Sequence, residues 1–598
     1  MQTQKYSVNQ YLIEIILSWV KSGEIAIPEI QRPFVWEATQ VRDLMDSLYK
    51  GFPVGYIIAW RNPNVRLKDG TFSQGKRILI DGQQRVTALT AAILGQKVVN
   101  KRYQKVPIKI AFDPLNERFE VLNTAIAKDV SWLPDIATII SGDVSLFGLV
   151  EDYCGKNPGV ERNLLFRRIE NLRNITKKQI GMIELDGDLD IETVTEIFIR
   201  INSKGVVLSQ ADFAMSKIAS NVTYGGAALR KCIDYFCHLS VAPQYYQTIA
   251  DADKEFAGTE YFQKMTWLRH ENDDLYDPSY NDLLRVAFTS EFGRGKFSDL
   301  VSLLSGRNFE TRTFEEEIAE QSFAKLRQGV FNFINESNFK RFIMIIKSAG
   351  FVDSSLIRSR MALNFAYILY LKLRNEDYNP GSIESYVRKW FVLSLLTQRY
   401  SGSSETYIDY DIRNIAPNHV EVYLQEREAA DLSDGFWNVA LIRQLETFTT
   451  NIPAFNVYLA AQCKFNHRGF LSKDITIRSM IEHKGDLHHI FPKDYLRKQD
   501  LSKNDYNQVA NYVYMQTEIN IKVGNKAPAV YFAELAEQCN GGTLKYGGIT
   551  SMEELKANMA ENDIPETIFH MSLEHYKDFL RERRLLISRK IKQYYESL

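Results

Sequence analysis

Over roughly the first 220 residues, hydrophobic positions alternate between a period near 3.6 and a period of two or a continuous apolar run. Residues 8–21 carry the helical spacing and predict an amphipathic helix, and EIAIPEI (Glu24–Ile30) predicts a short strand. TQVRDLMDSLYKG (Thr39–Gly51) predicts a helix closed by Gly51, and VGYIIAW (Val54–Trp60) a strand. KRILIDGQQRVTALTAAILG (Lys76–Gly95) reads as strand, tight turn and a helix ended by Gly95. Two further strands are expected in VPIKIAFD (Val106–Asp113) and QIGMIEL (Gln179–Leu185).

Beyond residue 225 the strand signals fade. KRFIMIIKSAG (Lys340–Gly350), RMALNFAYILYLKLRN (Arg360–Asn375) and ESYVRKWFVLSLLTQRY (Glu384–Tyr400) all carry helical spacing. From residue 431 the pattern is mixed again. The expectation is an α+β multidomain chain: a mixed domain at 1–225, a helical middle region at 226–430 and a second mixed domain at 431–598. With 598 residues the chain exceeds what a single core supports.

Composition narrows the class only a little. A net charge of −1, from 73 Lys and Arg against 74 Asp and Glu, argues neither for nor against nucleic acid. One basic stretch stands out, RERRLLISRKIK (Arg581–Lys592), read as a solvated helix face in preference to a phosphate-binding one. Five scattered cysteines with no CxxC pair indicate a reducing compartment and no structural zinc knuckle. The first residues read as an amphipathic helix rather than a signal peptide, and no apolar run reaches the ~18 residues of a membrane span. A cytoplasmic protein with no membrane partner is expected.

Candidate chemistry lies at both ends. Only nine histidines occur, yet His488 and His489 are adjacent in DLHHIFP (Asp486–Pro492). An isolated pair reads as one capping and one packed residue. Downstream, however, come Asn511, Asn520 and Gly524-Asn525-Lys526. Phosphodiester hydrolysis needs a base for water, a cation for the leaving oxygen and a group to orient the base. A hairpin followed by a helix would gather His488, His489, Asn511 and Asn520 for that task. At the other end, the strand Arg77–Ile80 runs into Asp81-Gly82-Gln83-Gln84-Arg85 and a helix. Helix N-termini collect phosphates, but an N-cap Asp81 with solvated glutamines accounts for the same residues equally well. Upstream, IPEIQRPFVW (Ile27–Trp36) fixes Gln31, Arg32 and Phe34 between prolines, either lining a pocket or packing in a core.

His488-His489-Ile490-Phe491-Pro492, Asn511 and Asn520-Ile521-Lys522 resemble the HNH family, whose ββα-metal motif reads (D/H)H-x-x-P, then Asn, then N-x-x-K. That resemblance implies His489 as general base, His488 and Asn520 as ligands of Mg²⁺ or Mn²⁺, and Asn511 as the residue steadying hairpin and base. His483 and Asp486 are alternative ligands. The IPEIQRPFVW and DGQQR segments, with Phe198-Ile199-Arg200-Ile201-Asn202-Ser203-Lys204-Gly205, resemble the DUF262 family, whose domain is similar to the ParB nuclease/sulfiredoxin fold. This implies a nucleoside triphosphate (ATP, GTP or UTP) bound and hydrolysed at Asp81–Arg85, with Asp81 catalytic, and Gln31, Arg32 and Phe34 sensing modified DNA.

A DUF262 front joined to a DUF1524-type HNH rear resembles the GmrSD-like type IV restriction enzymes. The expectation is a nucleotide-regulated endonuclease cutting double-stranded phage DNA that is glucosylated, hydroxymethylated or phosphorothioated, with the middle helices offering a homodimer interface. An NTP-dependent DNA-binding scaffold with an inactive HNH site, or an RNA-directed toxin nuclease, stands as the alternative.

Overall fold

The computed structural model describes residues 5–26, 36–60, 77–99, 105–142, 144–187, 189, 193–194, 197, 210–221, 223–271, 273–415 and 419–598. Gln31, Arg32, Phe34 and the segment 198–205 lie outside these residues. The chain forms two compact units, Met1–Arg230 and Lys231–Leu598.

The first unit is built on β1 (Tyr6–Leu12), α1 (Ile13–Ser22), β2 (Ile25–Ala26), α2 (Ala38–Lys50), β3 (Ile57–Trp60), β4 (Arg77–Asp81), α3 (Gln83–Leu94), β5 (Val98–Val99), β6 (Lys105–Val106), β7 (Ile110–Asp113), β8 (Arg118–Val121) and β9 (Gln179–Leu185). Five strands make one mixed sheet in the order β1-β9-β3-β4-β2. The helix expected over 8–21 begins only at Ile13. Residues 6–12 pair instead with β9, Tyr6 opposite Leu185 through Leu12 opposite Gln179. Long-range pairing supplies seven residues with backbone partners, and Ser7 and Asn9 are poor helix formers. β3 reads as a continuous apolar run because both its faces are covered. Ile57 and Ala59 join the core under α1, α2 and α3, while Ile58 and Trp60 pack with Ile80, Leu185, Leu189 and Val194.

In the second unit the helices Glu336–Ser348, Arg360–Asn375 and Pro380–Leu396 occupy the segments where helical spacing predicts them. Residues 231–430 and 431–598 pack together as one unit. Gly350, at φ +95°, sits so close to the Ala460 carbonyl that a Cβ there would lie 2.0 Å from its oxygen. The Ser385 hydroxyl donates to the carbonyl of Leu598 at 3.1 Å.

The end of the chain holds a small hairpin, β10 (Leu487–His489) against β11 (Tyr512–Tyr514), and then the helix Thr517–Val523. Their core includes Ile490, Phe491, Val513, Ile519, Tyr531 and Phe579. The basic stretch Arg581–Lys592 belongs to the helix Tyr576–Glu596 and is not simply a solvated face. Arg583 and Lys590 are buried, and Lys590 pairs with Asp563 at 2.9 Å. The helix turns these two cations inward, where backbone carbonyls and Asp563 meet them, so charge alone misplaced them. Among the described residues, no helix is long and apolar enough to cross a membrane.

Candidate functional site

The histidine hairpin follows from alternation. β10 has only three residues, paired as Leu487–Tyr514, His488–Val513 and His489–Tyr512. Adjacent strand residues project to opposite faces, so His488 and His489 have separate surroundings. The His489 ring lies 4.6 Å from that of Tyr512 and 6.3 Å from that of Tyr506. Its Nε2–H donates to Asn507 Oδ1 at 3.0 Å, which leaves Nδ1 as the nitrogen with the lone pair. Burial, first of all, holds the His489 imidazole below its ordinary pKa; the bond to Asn507 opposes that shift. The ring is neutral at pH 7.

Asn511 is fully buried (0% exposed) and spends its amide on the turn. Its Oδ1 accepts from the Phe491 N–H at 2.8 Å, and its Nδ2 donates to the carbonyls of Phe491 and Tyr506, each at 3.1 Å. The Ile490 N–H donates to the Asn511 carbonyl at 2.9 Å. Asn511 thus ties the residues after β10 to those before β11. The amide that accepts from the histidine is that of Asn507, four residues earlier. In the sequence only its place in the polar run N-D-Y-N-Q (Asn504–Gln508) sets Asn507 apart.

His488 is half-buried. Its Nε2 is shut off from solvent and has no hydrogen-bond partner among the described residues. Burial lowers its pKa, and the charge of exposed Asp486 opposes this. Asn520 lies half-buried on the helix Thr517–Val523, which is separated from β11 by two residues. His483 donates from Nδ1 to the Ser479 carbonyl of its own helix at 2.8 Å. Among the described residues no three His, Cys, Asp or Glu side chains cluster as a metal cage. An orphaned imidazole nitrogen fits a divalent ion held by few protein ligands, with coordination positions left for phosphate and water.

At the front, β4 ends at Asp81 and α3 starts at Gln83, with Gly82 as its N-cap at φ +90°. The helix cap is therefore Gly82 and not Asp81. A Cβ at Gly82 would lie 3.1–3.2 Å from Ile57, so this crossing is closed to larger residues. The β3–β4 ladder shifts register between Ile58 and Ala59, next to the pairing of Ile58 with Asp81. Such a bulge redirects the side chains beside it. Asp81 and Arg85 pair at 3.0 Å, and Arg85 Nη1 also donates to the carbonyls of Tyr56 (2.8 Å) and Val54 (3.3 Å). Gln83 is buried at 6% exposure, so it is not the solvated side chain of the capping alternative. Gln84 Oε1 accepts from the Trp36 N–H at 3.4 Å. The DGQQR residues thus gather at one turn and bond chiefly to their own unit.

Residues 13–219 match the family model of the GmrSD restriction endonuclease, N-terminal domain. Most of the first unit is therefore similar to the front domain of the GmrSD restriction endonucleases. A protein of Methanocaldococcus jannaschii, described as uncharacterized, is 21% identical over 611 residues, covering 94% of this chain and 93% of that protein. The likeness extends through both units, well beyond the front domain.

Proposed function

We propose that the protein is a metal-dependent HNH endonuclease that cuts modified double-stranded phage DNA under the control of a nucleoside triphosphate bound at Asp81–Arg85. The observation that carries the reading is the contrast between two adjacent imidazoles. His488 keeps a buried nitrogen without a partner, while His489 has one nitrogen fixed by Asn507 and the other left to take a proton. A structural pair of histidines would have both rings satisfied.

In this reading His489 Nδ1 accepts a proton from the water that attacks phosphorus. Asn507 holds the tautomer, and Asn511 holds the turn on which the base stands. His488 and Asn520 would hold Mg²⁺ or Mn²⁺, which when bound supplies positive charge to the phosphate and the departing oxygen. At the front, Arg85 would exchange Asp81 for phosphate oxygens. The GmrSD-type front domain supports the DNA partner and the defence role.

The test is cleavage of matched phage DNAs (plain, hydroxymethylated, glucosylated and phosphorothioated) with Mg²⁺, Mn²⁺ or EDTA, each with and without ATP, GTP or UTP. Metal-dependent cutting of one modified DNA, changed by one nucleotide, is expected. Cutting that persists in EDTA would remove the HNH assignment.

A further inference from the structure

The carboxy-terminal helix carries a guanidinium where a core-facing helix ordinarily carries a hydrophobic side chain. Arg583 is 0% exposed. Its Nη1 donates to the carbonyls of Ala510 (2.7 Å) and Tyr512 (2.8 Å), and its Nη2 to that of Asn562 (3.1 Å). Ala510 and Tyr512 are the two neighbours of Asn511, and Tyr512 is the residue paired with His489.

The same helix face reaches the rest of this segment. Tyr576 donates its hydroxyl to the Asp505 carbonyl at 2.9 Å, and Arg584 Nη2 donates to Gln508 Oε1 at 2.9 Å. Positions 576, 583 and 584 share one stripe of a helix. Phe491 packs on this stripe too, 5.0 Å from the ring of Tyr576 and 4.9 Å from that of Phe579. Between the anchored residues 505, 508, 510 and 512 lies Asn507, which fixes the ring of His489.

A buried cation is an expensive way to fill a core. Its desolvation costs several kcal/mol, and a well-packed apolar side chain of similar size is often as stabilising or more so. Asp563 and the Tyr458 hydroxyl also interact with Arg583, but the carboxylate is paired with Lys590 at 2.9 Å, and the bonds that Arg583 donates into the hairpin segment go to carbonyl dipoles. What an apolar residue would not supply is a rigid fork that grips two carbonyls on either side of one residue.

We propose that Arg583 is a positioning residue for His489, holding residues 507–512 in register so that Asn507 and β11 present the base in a single orientation. This rests on the nuclease reading above. A displacement of about 1 Å at a reacting group can cost ~10²-fold in rate. Arg583→Met, Arg583→Lys, Tyr576→Phe and His489→Ala would be compared on the DNA that the parent cuts, with kcat, KM and Tm measured for each. Folded Arg583→Met should lose about 10²-fold in kcat with KM within about twofold, and Arg583→Lys should recover roughly tenfold of that loss. Parental kcat in folded Arg583→Met overturns the proposal. Should Arg583→Met fail to fold, Tyr576→Phe and Arg583→Lys decide: kcat lowered about threefold or more supports it, and parental kcat in both overturns it. Inactive His489→Ala beside fully active Arg583→Met sinks this inference alone, whereas active His489→Ala sinks the nuclease reading itself.

Discussion

The DGQQR turn and the histidine hairpin are each built of a few polar residues at a strand end, yet they spend their hydrogen bonds differently. At the front, the carboxylate of Asp81 meets Arg85, and Arg85 meets two further carbonyls of its own unit. At the rear, the framework residue Asn511 uses three side-chain bonds, but His488 Nε2 has no partner among the described residues. A closed ion pair has to open before either charge can serve a ligand, whereas an unpartnered buried nitrogen already carries its desolvation cost and gains from any partner. The rear hairpin is preorganised in this sense, whereas the front turn, on the proposed reading, would change state on binding a nucleotide.

The strongest way to break that comparison is to remove the base. His489→Ala should lose ~10²–10⁴-fold of DNA cleavage, the usual range for a general base, while nucleotide hydrolysis stays at the parent's level. A plasmid nicking assay run beside phosphate release reads both, and parental nicking would refute the role of His489. Opening the front turn should do the reverse. With Asp81→Ala or Arg85→Ala, nucleotide hydrolysis should fall by about 10²-fold, since a bidentate phosphate contact or its orienting carboxylate is lost. Nucleotide-independent nicking should then remain. Normal turnover in both variants would show that the pair is only structural.

Much of the fold could be read from hydrophobic period. The helix ends at Gly51 and Gly95 and the strand-turn-helix at Asp81–Gln83 stand where the spacing and the glycines put them. What failed to show was whatever depends on partners remote in sequence. Tyr6–Leu12 becomes a strand because β9, more than 160 residues on, supplies its hydrogen bonds. Arg583 and Lys590 look like surface charges until carbonyls from the hairpin segment and Asp563 turn up around them. The site divides the same way. Residue type and order single out His488, His489, Asn511 and Asn520, but Asn507 could be found only once the hairpin brought it within 3.0 Å of His489.

The framework can be tested apart from chemistry. Asn511→Ala leaves the buried Phe491 N–H without its acceptor and takes a donor from the carbonyls of Phe491 and Tyr506, of which Tyr506 retains the Tyr576 hydroxyl at 3.4 Å. At ~1–3 kcal/mol for a stranded buried group, with partial relaxation, a loss of roughly 2–4 kcal/mol is expected in the unit Lys231–Leu598. Thermal unfolding should move the transition of that unit down and leave the other in place. An unchanged transition would mean that the turn does not depend on this amide.

The smallest effect separates a held base from a free one. Asn507 contributes one hydrogen bond of 3.0 Å to His489 and lies only partly buried, so its loss should leave the hairpin folded. In Asn507→Leu the ring can rotate and its two neutral tautomers can exchange, so that only part of the molecules present Nδ1 to water. Loss of one orienting bond worth about 1–1.5 kcal/mol corresponds to roughly a tenfold fall in kcat with KM unaltered. Asn507→Asp keeps an acceptor oxygen for the Nε2–H and should recover most of the rate, which a change in packing alone would not predict. If Leu and Asp are equally active, the ring is oriented by Tyr512 and the strand pairing alone. His489 would then be as closed a piece of framework as the Asp81–Arg85 turn, and the contrast between the two ends would rest on His488.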